Sequence, residues 1–134
     1  MKPDFEKVSN CVIKQNEQIE IFNSTTPEQL FSYLFEEMDE LREVLEKSKF
    51  GSIELESEIS DVFYLLIRLA NHCGIDIMEG VLSKIARNNR KYKPFKTREE
   101  AKANWSHDKD HEFLSSWVKV YREKQAKVDS QKEV

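Results

Sequence analysis

Apolar side chains recur along this chain at the three- and four-residue intervals of amphipathic helices, and few runs alternate with the period of two that marks a strand. The pattern predicts an all-α protein. Residues 4–22 read as a first helix with Phe5, Val8, Val12, Ile19 and Phe22 on a loose apolar face. After a loop at Asn23-Ser24-Thr25, the run Thr26-Pro27-Glu28-Gln29 supplies an N-cap, a proline at the first helical position and a capping-box glutamine. A second helix over 27–48 follows, with Leu30, Leu34, Met38, Leu41 and Leu45 as its core stripe. Gly51-Ser52 interrupts it, and Ser52 or a neighbour caps a third helix that runs to about Cys73, before Gly74. Asp76-Ile77-Met78-Glu79 starts a fourth, through Val81, Leu82 and Ile85 to Lys91, and Pro94 stops it. The short links imply antiparallel neighbours and a four-helix core.

Beyond Pro94 the pattern is looser. Thr97 can cap a short helix reaching Trp105, and 112–128 forms another candidate, with Phe113, Leu114, Trp117, Val118 and Tyr121 on one side. Two regions follow: a core over 1–95, and a C-terminal helical extension over 96–134 that frays after 128 and packs on the core or on a partner subunit.

Two acidic pairs break the apolar pattern. Glu37 and Glu40 stand at the edge of the second helix's core stripe, and Glu58 and Asp61 flank Val62, Leu65 and Leu69 on a third helix that is apolar almost all round. Partners three apart share a helix face, so each pair directs two carboxylates one way. Such a helix is normally buried, where ionised carboxylates are costly unless a cation or donor compensates them. Four carboxylates from two helices can make an all-oxygen cage for Mg²⁺ or Mn²⁺. Glu43, Glu46, Glu54 and Glu56 read instead as solvated.

The net charge of −4 argues against generic nucleic-acid binding, but its distribution matters more than its sum. Ten acids lie between Glu36 and Asp61 against Arg42, Lys47 and Lys49, whereas Gly80 to Arg98 holds seven Lys and Arg and no acid. An acidic metal site followed by a basic segment suits a polyphosphate held through bridging cations. Cys11 and Cys73 are too few for a disulfide framework, and Cys73 reads as a small buried hydrophobe. Without a secretory h-region or an apolar run of membrane-spanning length, the expected location is cytoplasmic.

Glu36-Glu37-Met38-Asp39-Glu40 as E-E-x-x-E, Glu58-Ile59-Ser60-Asp61 as E-x-x-D, and Lys84-x-x-x-Asn88 with Lys91-Tyr92 as K-x-x-x-N-x-x-K-Y occur in order, after Phe22 and Pro27. Over residues 18–95 the chain thereby resembles the MazG-like members of the all-α nucleoside triphosphate pyrophosphohydrolases. The resemblance implies a helical fold that dimerises or forms tetramers, and hydrolysis of a (deoxy)nucleoside triphosphate to monophosphate and pyrophosphate. It implies Glu37, Glu40, Glu58 and Asp61 as Mg²⁺ ligands and catalytic residues, with Lys84, Asn88, Lys91 and Tyr92 meeting phosphate or sugar. Glu36 matches the family's extra glutamate but turns toward solvent. Asn23, a further substrate-binding candidate, stands where many relatives carry a histidine that helps read the base, so base specificity does not transfer.

Other readings are weaker. A di-iron bundle needs Glu-x-x-His pairs, and neither acidic element has the histidine. His107, Asp108, Asp110 and His111 fit a hydrated linker better than a second metal site. A phosphoribosyl-ATP pyrophosphohydrolase shares the helices and carboxylates, and a catalytically silent interaction module shares the scaffold alone.

Overall fold

The computed structural model describes residues 4–132. Seven helices, α1 (Phe5–Gln18), α2 (Glu20–Asn23), α3 (Pro27–Lys47), α4 (Ile53–His72), α5 (Ile77–Lys91), α6 (Arg98–Ala103) and α7 (His107–Lys132), account for the regular structure of the described residues. The all-α expectation holds, and the helix ends show why. Asp4 accepts the Lys7 amide at 2.8 Å to start α1. At Thr26 both halves of the capping box form: Thr26 Oγ1 accepts the Gln29 amide at 3.1 Å, and Gln29 Oε1 accepts the Thr26 amide at 2.9 Å. Ser52 caps α4 through the Leu55 amide. Gly74 takes φ +69°, and the Ile75 amide reaches back to the Ala70 carbonyl at 2.9 Å, a left-handed closure that glycine makes without a Cβ penalty.

Two boundaries differ from the sequence expectation. The first helix does not run unbroken to residue 22, because Ile19 adopts an extended conformation, φ −92° and ψ 111°, that separates α1 from α2. A β-branched side chain accepts that conformation readily. The last helix begins at His107 and not near 112, since the Ser106 hydroxyl accepts the Lys109 amide at 3.1 Å. His107, Asp108, Asp110 and His111 therefore lie on a helix and not in a linker, with Asp108 and Asp110 where the helix dipole favours acids. The same helix continues to Lys132, past the expected fraying point.

The chain forms two compact units, the first reaching Ile77 and the second beginning at Met78. In the first, α4 packs on α3 and α1 around Val12, Leu30, Leu34, Leu55 and Ile67. Phe5 of α1 also meets Phe63 of α4, ring centroids 5.6 Å apart. The core stripe of α3 is only partly covered, with Met38 53% and Leu45 47% exposed. Nor is α4 buried on all sides: Ile59, Phe63 and Leu66 are exposed, and so is Cys73. Two helix neighbours cannot enclose a cylinder that is apolar around most of its circumference.

In the second unit, Asp110 ties three elements together. It accepts Trp105 Nε1 at 3.0 Å and Arg87 Nη1 at 2.9 Å, joining α5 to α7 and to the turn before it. Its carboxyl is held below the usual range first by the Trp105 hydrogen bond and then by the Arg87 charge. Arg122 of α7 meets Glu79 of α5 at 3.0 Å. Trp105 packs edge-on against Phe113, and Trp117 stacks on Tyr121, so these aromatics cover one another.

Candidate functional site

Glu37 and Glu40 lie one turn apart on α3, and Glu58 and Asp61 one turn apart on α4. Packing of the two helices brings a carboxylate oxygen from each of Glu37, Glu40 and Glu58 to within 4.8 Å of one another. Glu37 and Glu58 are half-buried, and Glu40 is exposed. Asp61 is exposed, near enough for its charge to act on Glu37 and Glu58. Glu36 faces solvent, as its place on the helix predicts.

Like charges crowded at a helix interface resist ionisation. Glu37 is pushed up from 4.5 to about 7, first by burial, then by Glu40, and then by Asp61 and Glu58. Glu58 is also raised, by burial first and then by Glu40 and Asp61. Glu37 Oε2 and Glu58 Oε2 are buried without a hydrogen-bond partner. Orphaned acceptors at the centre of an acid cluster are what a hard divalent cation would satisfy, so the residues present fit Mg²⁺ or Mn²⁺.

A cleft of about 400 Å³ adjoins the cluster, with Glu37 and Asp61 in its wall. Tyr33 comes from α3, one turn before Glu37, and Tyr64, Leu65 and Arg68 come from the face of α4 that carries Asp61. Ile21 and Phe22 of α2, with Thr25, complete it. The short α2 is thus the element that aims Phe22 at this space, and Thr25 Oγ1 donates to the Ile21 carbonyl at 2.6 Å to hold the turn. Asn23 ends α2 with its side chain exposed, outside the cleft lining.

Sequence reasoning missed Arg68. It is 4% exposed inside a helix read as apolar, and its Nε donates to Asn16 Oδ1 at 3.0 Å. The Phe22 ring lies 4.0 Å from the guanidinium carbon, and the Phe22 carbonyl accepts Nη2 at 3.4 Å. Asn16 Nδ2 is 2.9 Å from His72 Nε2, one turn beyond Arg68 on α4. Burial lowers the Arg68 pKa, and the nearby Tyr64 and Tyr33 hydroxyls act in the opposite sense. The available signal was that Arg68 is the sole Lys or Arg between Lys49 and Lys84. A lone arginine in an apolar helix calls for a partner.

The basic candidates belong to the second unit. Lys84, Asn88 and Lys91 share a face of α5, and Tyr92 follows in its C-terminal turn. Lys84 is exposed, whereas Asn88 Oδ1 is buried without a hydrogen-bond partner. Lys91 Nζ lies 5.1 Å from the centre of the Tyr92 ring. The Tyr92 phenol is lowered first by a hydrogen bond from Lys91, with the Lys91 and Arg98 charges adding to it.

Among known families, the one described as MazG nucleotide pyrophosphohydrolase domain matches residues 25–94, more than half of the chain. The match spans both acidic pairs and the basic run of α5. No curated protein and no solved structure matches.

Proposed function

The chain belongs to the MazG nucleotide pyrophosphohydrolase family, and we propose that it hydrolyses a (deoxy)nucleoside triphosphate to the monophosphate and pyrophosphate, with Mg²⁺ held by Glu37, Glu40, Glu58 and Asp61. One observation carries this reading: three carboxylates converge within 4.8 Å, and two of them hold buried oxygens that no protein donor satisfies. Held by these carboxylates, Mg²⁺ would neutralise triphosphate charge and acidify water.

The chain's own groups do the rest. A carboxylate of the cluster not fully engaged by the cation would accept the proton of the attacking water. Lys84, Asn88, Lys91 and Tyr92 bind phosphate or sugar in this proposal, as their match to the family pattern implies. Attack at the α-phosphorus leaves the negative charge on departing pyrophosphate, where fixed ammonium groups stabilise it.

We place the protein in the cytoplasm as a homodimer or homotetramer that controls the nucleotide pool. No helix among the described residues is long and apolar enough to cross a membrane. Exposed Ile59, Phe63 and Leu66 on α4, with Phe31, Phe35 and Met38 on α3, support burial against a second copy. The test is release of pyrophosphate from a panel of nucleoside triphosphates with and without Mg²⁺. Pyrophosphate and monophosphate in equal amounts are expected, and orthophosphate without pyrophosphate would refute α-attack.

A further inference from the structure

Arg68 is nine-tenths buried, yet among the described residues no carboxylate forms an ion pair with it. A buried cation of this kind is costly unless acceptors surround it. Asn16 Oδ1 takes Nε, the Phe22 carbonyl takes Nη2 at a long 3.4 Å, and the Phe22 ring covers one face. A guanidinium has five N–H donors, so most of its donor capacity is left to the cleft it lines.

Register along α4 fixes what reaches that point. Asp61, Leu65 and Arg68 are spaced i, i+4 and i+7, which keeps them on one face. At 1.5 Å per residue, Asp61 and Arg68 leave the helix about 10 Å apart along its axis. A nucleotide whose α-phosphate sits at the carboxylates presents the far edge of its base at that distance. The walls between are Tyr33, Tyr64, Leu65 and Phe22, a lining for a flat ring and not for a polyphosphate.

We propose that Arg68 reads the base of the nucleotide and selects bases bearing an oxo group on the edge remote from the sugar: guanine, hypoxanthine, uracil and thymine. Arginine only donates, so it pairs with a carbonyl acceptor, whereas adenine and cytosine present an amino donor at the same edge. Phe22, stacked on the guanidinium, and Asn16, bonded to Nε, set its plane; both are positioning residues. This rests on the nucleotide reading above.

The test is calorimetric binding of nucleoside monophosphates to the full chain with Mg²⁺ present; monophosphates carry no anhydride to cleave, so it does not depend on turnover. GMP, UMP and dTMP should bind the wild type at least about tenfold more tightly than AMP and CMP, the discrimination expected of a good arginine–base pair. In Arg68→Met the preference should vanish, leaving the bases equal. Arg68→Lys, which keeps the charge but not the planar fork, should lose most of the preference while still folding. Equal binding of all bases to the wild type would overturn the inference without any variant. So would an equal loss for every base in Arg68→Met together with competition by inorganic phosphate, which would make Arg68 a phosphate ligand. If the base preference holds but no triphosphate yields pyrophosphate, the reaction assignment fails and the base assignment stands.

Discussion

Glu37→Gln removes one charge from the acid cluster at nearly constant volume, and the structure gives the consequence a sign and a size. Two unit charges no more than 4.8 Å apart repel by at least about 3.5 kcal/mol at an effective dielectric of 20. With the cluster open to solvent, screening reduces the relief from a fully ionised Glu37 to about 1 kcal/mol. Glu37 titrates near 4.5 unfolded and about 7 folded, so between those values the folded state binds more protons. Its contribution to stability is therefore present below pH 4.5 and lost as pH rises through 7. In EDTA the variant should melt higher than wild type by about 4 °C at about pH 8.5 and at nearly the same temperature at about pH 5. Added Mg²⁺ should raise the melting temperature of the wild type at the higher pH and shift the variant much less. Thermal unfolding of both proteins in those three conditions decides it. A variant no more stable than wild type at high pH, with an undiminished Mg²⁺ shift, would refute both the repulsion and the metal role.

Glu58→Gln and Asp61→Asn should each lower turnover by at least about 10²-fold while the circular dichroism spectrum stays helical; wild-type rates in either would remove these residues from the site. Lys84→Ala should lower kcat more than it raises KM under the proposal that its charge acts on the departing pyrophosphate; an unchanged kcat with a raised KM would reduce it to a docking charge. Sedimentation at low micromolar concentration should show a dimer or tetramer, and a species of 15.9 kDa would show that the exposed faces of α3 and α4 need no second copy. Thr26→Ala deletes the hydroxyl half of the capping box at α3 and should cost about 1 kcal/mol in chemical unfolding; no loss would mean that the cap is dispensable to α3.

Wherever a local rule was strong, the chain itself determined the outcome. The Thr26 capping box, the Ser52 cap and the glycine at 74 begin or end helices where the sequence places them, because each is a short-range hydrogen-bond or φ requirement met within a few residues. Spacing of three also sufficed to put Glu37 with Glu40 and Glu58 with Asp61 on shared faces. What no spacing rule contains is how two helices meet. Only the packing of α4 on α3 made three of those carboxylates neighbours, left two oxygens orphaned and raised the Glu37 pKa. The break at Ile19 and the Ser106 cap were local but weak signals, each overridden by a longer periodic pattern. Arg68 is the clearest case of tertiary control. An arginine in an apolar helix is unstable by itself, and it is buried here because Asn16 and Phe22, some fifty residues earlier in the chain, come back to meet it. Helices form from contacts within a turn or two, whereas burying a charge needs partners that only the folded chain brings together.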